Sequence, residues 1–364
     1  MSGSRRDQRD LIEEPCLDYK CSPWTASSQR AADLYSSGVK LWRKEDLIDI
    51  EQQLAKACDV EKFTLRRLDG SIVHIKNPMF GVLKPIWEPV VKFQEFWYLV
   101  QSTPDGPPET YHCTYLVDWV NRTVRDYEGP LGTTRLVFES SRDRWNASLT
   151  CEAFTTQLRK LLLRADGAVK RVTKIVCFGL GDLNIKPKDW WRIQNDEMPP
   201  DQRMPEAGLI NAALIHHALA LTIADIVRSC ADPGSPGVRI LSQDPNYVDQ
   251  TKDLLLETGI EVVGASGAGG FAEVDDESVV LSALAQAPVQ QIIADLARPV
   301  AIVYAGNTSG RVFNQHSKPI GDPASPRTNQ MWKEYNTWDF PVISESIQAE
   351  GSLHRFVVYT RREE

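Results

Sequence analysis

Two glycines and two aspartates stand where the predicted strands of this 364-residue chain end in loops. Gly179 and Gly181 follow the apolar run at residues 172–178. Asp182 comes directly after them, and Asp244 ends the second predicted strand. Glycines at such a turn let a ligand approach the backbone, and an acidic residue beside them can accept hydrogen bonds from ribose hydroxyls. These four residues predict a cofactor-binding site for S-adenosylmethionine or a dinucleotide.

The glycine pattern is incomplete, which leaves a second interpretation open. The third position of G-x-G-x-x-G is Asn184 rather than glycine or alanine. Asp244 follows Gly181 by 63 positions, whereas about 20 is usual in dinucleotide sites. The glycines therefore also fit a tight turn that packs the strand end. Asp182 and Asp244 likewise fit the caps of a loop and a helix.

A glycine-rich loop at residues 264–270 is another candidate site. Successive backbone N–H groups in such a loop can cradle an anion. An acidic run follows at residues 273–277 and would repel one. A mobile lid or a plain linker is therefore the favoured interpretation of this loop.

Metal and nucleophile chemistry find little support in the sequence. His216 and His217 lie in a strongly apolar predicted helix, where adjacent side chains face different ways, so we predict that at least one of them is a core histidine. The seven cysteines are spread widely and form no C-x-x-C pair. No hydrolase elbow, metalloprotease motif or Walker lysine is present. We predict no metal site, and the sequence indicates no catalytic residue.

The elements that would position these residues alternate between strand and helix. Short apolar strands are predicted at residues 172–178, 238–242, 260–263 and 299–304, and helices at 209–227, 248–258 and 288–297. Strands that are continuous apolar runs are typical of a parallel sheet covered on both faces. We therefore predict an α/β fold, a Rossmann-like parallel sheet with helices on both faces.

Four regions are predicted along the chain. Residues 1–30 form a flexible arm, and residues 31–150 an N-terminal α+β extension. Within that extension a helix is expected at 31–57, and a long hairpin would pair 96–100 with 111–120. Residues 151–310 form the Rossmann-like domain. Residues 311–364 form a C-terminal extension that packs on the core and ends in a strand at 356–360.

Charge and hydropathy narrow the function classes. Residues 1–170 carry 24 of the 41 basic and 24 of the 49 acidic side chains. Residues 171–364, which contain most of the predicted Rossmann-like domain, carry the remaining 17 basic and 25 acidic side chains. An acidic half argues against direct binding of nucleic acid. No run approaches the roughly 18 apolar residues of a membrane span. We expect a reduced, soluble protein of the cytoplasm, with nuclear entry left open.

Several motifs, in order, resemble those of the SRR-like ("sensitivity to red light reduced"-like) family in its fungal form. These are Lys174–Gly181, Gln243-Asp244-Pro245, the Leu-Leu-Leu-Glu-Thr-Gly-Ile that ends at Ile260, and Gln290–Pro299. The resemblance covers about residues 150–305. It departs after the fourth strand, where members outside the fungi tend to have a Pro-His-Cys-like end and this chain has Val303–Asn307.

The resemblance implies regulation rather than a defined reaction. Members are linked to circadian and light signalling, animal relatives to control of haem synthesis, and a yeast relative to microtubule-related processes. Haem is the least supported cofactor, because the six histidines and seven cysteines form no axial-ligand motif.

Two main function classes stay open from the sequence, beside a third and less specific one, a metabolic-cluster protein whose pocket binds a pigment or another planar molecule. The first is a regulatory protein, non-catalytic or weakly ligand-binding, that acts through protein partners. The second is an enzyme, a methyltransferase or oxidoreductase, that uses S-adenosylmethionine or a dinucleotide at the predicted edge. A small-molecule ligand fits either class, whereas nucleic acid and membrane fit neither.

Overall fold

The computed structural model describes residues 25–83, 85–101, 106–121, 131–164, 171–184, 193, 195–200, 203, 206–232, 237–306, 312–313, 319–320, 322–343 and 350–362. The helices in these ranges are α1 (Thr25–Ser36), α2 (Lys44–Ala55), α3 (Phe96–Gln101), α4 (Leu131–Asn146), α5 (Leu149–Arg164), α6 (Glu206–Cys230), α7 (Asp249–Glu257), α8 (Gly269–Ala272), α9 (Val289–Leu296) and α10 (Pro326–Trp332). The strands are β1 (Lys62–Arg66), β2 (Ile72–Lys76), β3 (Trp87–Phe93), β4 (Tyr115–Asn121), β5 (Lys174–Phe178), β6 (Arg239–Gln243), β7 (Ile260–Val262), β8 (Ser278–Ser282), β9 (Ala301–Ala305), β10 (Val312–Phe313), β11 (Pro319–Ile320), β12 (Tyr335–Asp339) and β13 (Phe356–Arg361).

A seven-stranded sheet forms the centre, in the order β12-β13-β9-β8-β5-β6-β7. The five strands from β9 to β7 are parallel, and β13 and β12 continue the sheet in the antiparallel sense. The inner strands are buried almost throughout, as continuous apolar runs require. The predicted α/β fold with its Rossmann-like parallel sheet is confirmed, and so is the final strand.

Both faces of the sheet are covered, as predicted. Alternate residues of β5 divide between the two faces: Ile175 and Cys177 pack with α4, α5, α6 and α7, whereas Val176 and Phe178 pack with the other layer. That second layer combines α1, α2 and α3 with α8, α9 and α10. The predicted N-terminal extension therefore supplies much of one face of the core.

Four local predictions differ from the structure. The helix expected at 31–57 is two helices, α1 and α2, separated by the non-helical residues 37–43. Strand β8 was not predicted, although it lies between β9 and β5 and is fully buried. The predicted strand at 96–100 is helix α3, because the Glu95 carboxylate accepts the N–H groups of Trp97 and Tyr98 in its first turn. The hairpin instead pairs β3 with β4.

The helical layer of the core also begins earlier than predicted. Residues 131–146, for which no helix was predicted within the α+β extension, form α4, which packs against α6 and α7. Residues 25–30 of the predicted arm belong to α1. The rest of that arm, with Cys16 and Cys21, lies outside the described residues.

Helix α6 is both long and strongly apolar. Its residues 211–230 are long and apolar enough to cross a membrane by length and composition. In the fold, however, 78% of that segment is buried inside the protein. A buried core helix meets the same criteria, so the segment is weak evidence for a membrane span.

Candidate functional site

The turn after β5 is held to the strands on both sides of it. Gly179 and Gly181 have φ values of 62° and 91°, in the left-handed region that favours glycine. The Gly179 N–H donates to the Gln243 carbonyl (3.1 Å), and the Leu284 N–H donates to the Gly179 carbonyl (2.8 Å). A Cβ at Gly179 would lie 2.2 Å from the Ala285 nitrogen. The glycine is required by this close approach of two backbone segments.

Asp244 lies beside this turn, at the same edge of the sheet. Its Oδ2 accepts the Gly181 N–H (3.1 Å), and its Oδ1 accepts the backbone and side-chain N–H groups of Asn246 (3.0 and 3.1 Å). Only 8% of the residue is exposed. The structure thus brings together the residues that the sequence placed at one edge. Both carboxylate oxygens of Asp244 are engaged by the chain itself.

Asp182 also accepts hydrogen bonds from the backbone. Its Oδ1 accepts the Asn184 N–H (2.6 Å), and its Oδ2 accepts the N–H of Val248, the residue before α7 (2.7 Å). Burial raises the pKa of the Asp182 carboxyl, these hydrogen bonds oppose that effect, and the carboxylate of Asp244 adds to it. The contacts are those of a loop cap that ties the β5 turn to α7.

Asn184 occupies the third position of the glycine motif because its side chain joins two helices. Its Oδ1 accepts the Thr134 hydroxyl of α4, and its Nδ2 donates to the Thr251 hydroxyl of α7 (3.3 Å). The residue is 3% exposed. A glycine here would leave both hydroxyls without these partners, so the departure from the motif has a structural reason.

At least one core histidine was predicted, and both His216 and His217 are buried. His216 also supports the turn after β5. A carbonyl only accepts, so the His216 Nδ1 must donate to the Leu180 carbonyl (3.2 Å). His217 Nδ1 donates to the Ala213 carbonyl (2.7 Å), which leaves its Nε2 to accept the Tyr247 hydroxyl (2.9 Å). His216 Nε2 has no partner among the residues described. The apolar helix gave no sign of the contact with Leu180.

Burial should make these two histidines a source of acid sensitivity. It lowers the pKa of each from 6.5 to about 4. Below pH 6.5 the unfolded chain binds protons that the folded chain does not, so stability falls with pH down to the folded pKa. Between pH 7 and 5.5 we expect a loss of about 2–3 kcal/mol from the pair. Urea unfolding at a series of pH values measures it.

Two controls accompany this measurement. A His354→Gln variant, changed at an exposed histidine, should keep the same pH dependence. The imidazole carbon-bound proton resonances of His216 and His217 should stay constant from pH 8 to about 5. Their titration near 6.5 in the folded protein would contradict the prediction.

The glycine-rich loop at 264–270 does bind an anion, and that anion is a side chain of the chain. The Glu51 carboxylate accepts the N–H groups of Ser266 (2.8 Å), Ala268 (2.9 Å) and Gly269 (2.9 Å). Gln243 also bonds to the loop, since its amide oxygen accepts the Gly270 N–H (2.7 Å). The expectation of a mobile lid or plain linker does not fit this network.

A cavity lies elsewhere, beside α2 and the β1–β2 hairpin, with a volume of about 270 Å³. Its lining is mainly charged and polar and consists of Glu45, Asp46, Asp49, Thr64, Arg66, Ile72 and Tyr115. None of the four predicted site residues lines it. Within the described ranges, no three His, Cys, Asp or Glu side chains converge as a metal site.

No family model, curated protein or solved structure matches the chain. The fold and the residues at the carboxyl ends of β5 and β6 therefore define its class, which is that of a Rossmann-like α/β protein. At the carboxyl ends of β5 and β6, the described polar groups mainly hydrogen-bond to one another.

Proposed function

We propose that this chain is a regulatory protein of the SRR-like type, non-catalytic or weakly ligand-binding, in which the Rossmann-like core serves as a scaffold. One observation carries the proposal. The carboxylates of Asp182 and Asp244, which a ribose or an amine would need as acceptors, already accept backbone N–H groups of neighbouring loops. Opening these contacts would release the turn from α7 and from β6.

An exposed apolar loop supports action through a protein partner. Phe80, Leu83 and Ile86 are 48%, 98% and 49% exposed. The start of the loop is fixed, because the buried Asn77 amide donates to the Ala57 and Val60 carbonyls (2.6 and 2.7 Å). Large apolar side chains held out on an anchored loop are typical of protein contacts.

The second candidate is an enzyme that uses S-adenosylmethionine or a dinucleotide at the same edge. Its support is the placement of Gly179, Gly181 and Asp244 outside the carboxyl ends of two adjacent parallel strands. That is where open α/β sheets bind ligands. In this case a ligand would have to replace the hydrogen bond between Gly181 and Asp244.

A thermal-shift panel separates the two candidates. S-adenosylmethionine, S-adenosylhomocysteine, NADH and haemin should leave the Tm of the full chain within about 1 °C of its value without ligand. A ligand at 100 times its Kd would stabilise the fold by about 2.7 kcal/mol, which is a shift of several degrees. Such a shift in the wild type, lost in Asp244→Asn, would favour the enzyme. Asparagine is the matched change because its amide oxygen can still accept the Gly181 N–H.

A further inference from the structure

We infer that the loop at residues 264–270 is an oxyanion-binding site that the chain keeps occupied with its own Glu51, and that a phosphate group can take that place. This inference goes beyond the proposed function and rests on a different part of the sheet edge. The loop follows β7, whereas the residues considered above follow β5 and β6.

The bound carboxylate shows what the loop recognises. Three N–H groups, from Ser266, Ala268 and Gly269, converge on the two oxygens of Glu51 at 2.8–2.9 Å. The carboxylate comes from α2, more than 200 positions away in sequence. Convergent N–H groups of this kind bind phosphate as readily as carboxylate, because both present charged oxygens.

The loop keeps its shape through contacts that do not involve Glu51. The Gln243 amide accepts the Gly270 N–H (2.7 Å) and donates to the Gly267 carbonyl (2.8 Å). Gly264 and Gly267 have φ values of 60° and 101°. A Cβ at Gly264 would lie 2.0 Å from the Gln243 amide oxygen. The N–H groups are therefore preorganised by Gln243 and the glycines, and removal of Glu51 should leave them in place.

The site is open enough for exchange. Glu51, Gly264 and Gly269 are each partly exposed to solvent. A Cβ at Gly269 would lie 3.2 Å from Glu51 Cγ, so the glutamate side chain fills the space directly against the loop. Shortening this side chain to alanine vacates room beside the N–H groups that its carboxylate now occupies.

The acidic run after the loop is partly neutralised. Lys174 Nζ lies 3.4 Å from a carboxylate oxygen of Glu273 and 2.9 Å from one of Asp275. Neighbouring negative charge therefore opposes a bound anion less than the sequence suggested. Since Glu51 belongs to α2, a phosphate-bearing ligand that binds the loop tightly enough to displace Glu51 from the native chain would also detach this helix from the loop. Ligand binding would thereby change how the N-terminal layer packs on the core.

The test compares two alanine variants of the full chain, Glu51→Ala and Glu45→Ala. Glu45 is exposed on the same helix, so its replacement makes the same charge change away from the loop. Thermal unfolding is measured in about 20 mM sodium phosphate and in sodium chloride of equal ionic strength. In chloride, Glu51→Ala should lower the Tm by roughly 3–6 °C. Phosphate should restore at least half of this loss and should shift Glu45→Ala and the wild type by less than about 1 °C.

A recovery no larger in Glu51→Ala than in Glu45→Ala would overturn the inference. If Glu51→Ala does not fold, Glu51→Gln replaces it, since the amide keeps one acceptor and calorimetric titration with phosphate gives the binding directly. Parallel measurements with ATP and NADPH distinguish free phosphate from the phosphate of a nucleotide. If the variant binds either nucleotide more tightly than inorganic phosphate, the loop's ligand is a nucleotide phosphate. A phosphate-dependent rise in Tm that persists when Asp244→Asn is added comes from the loop at 264–270 and not from the turn after β5. Failure of this inference can therefore be distinguished from failure of the proposed function.

Discussion

Replacing Gly179 with alanine should lower the free energy of unfolding by about 3–5 kcal/mol, since two costs add at this position. The first is the φ of 62°, where a Cβ costs roughly 1–2 kcal/mol. The second is contact with backbone: the new Cβ would lie 2.2 Å from the Ala285 nitrogen and 2.5 Å from its Cα. Neither neighbour can rotate away, so the turns after β5 and β8 must separate.

Gly259→Ala is the matched control. Its φ is 84°, also left-handed, but no atom lies within 4 Å of the added Cβ. This variant should lose only the backbone cost, about 1–2 kcal/mol. Urea unfolding followed by tryptophan fluorescence measures both variants. Equal losses in the two would show that the turns at Gly179 and Ala285 are not pressed together as described.

The position of the turn after β5 could be predicted from the sequence, because it follows directly from the position of the strand. A buried parallel strand is a continuous apolar run, and adjacent parallel strands end at the same edge. The meeting of Gly181 with Asp244 follows from these two rules alone. Strand β8 was not predicted, because its five residues directly follow an acidic run and are too few to indicate a strand. All five are nevertheless buried.

The sequence could not predict in the same way which N–H groups the carboxylates of Asp182, Asp244 and Glu51 accept. Whether a carboxylate faces a ligand or a backbone N–H depends on loop conformation, which has no period in sequence. Asp182 reaches Val248, and Glu51 reaches Ser266, across 66 and 215 positions. The sequence did indicate that residues 264–270 could hold an anion, and it gave no sign that α2 would supply one.

The second large effect is expected at a buried ion pair that joins three segments. The Asp295 carboxylate of α9 accepts the Leu41 and Trp42 N–H groups at 2.6 and 3.2 Å and pairs with the Arg327 guanidinium of α10. That guanidinium also lies 4.1 Å from the centre of the Tyr35 ring. The exposed fractions of the Asp295 and Arg327 side chains are 1% and 20%.

Removal of the Asp295 carboxylate should cost about 3–5 kcal/mol, because it leaves a largely buried guanidinium without its counter-ion. Burial raises the pKa of the Asp295 carboxyl, and Arg327 offsets only part of this effect. The pair is thus costly to bury and more costly to break. Asp295→Ala tests it by urea unfolding. The surface pair of Asp225 and Arg228, with side chains 75% and 46% exposed, provides the comparison.

The surface pair and a double variant distinguish loss of the Asp295–Arg327 charge pair from loss of the hydrogen bonds that Asp295 accepts from Leu41 and Trp42. Asp225→Ala should cost less than about 1 kcal/mol, as exposed pairs do. Asp295→Ala combined with Arg327→Met should recover part of the loss, because no unpaired charge is then buried. Additive losses in the double variant would mean that Asp295 acts mainly through the Leu41 and Trp42 N–H groups. Losses smaller than additive would show that the contact of residues 41–42 with α10 depends on the charge pair of Asp295 and Arg327.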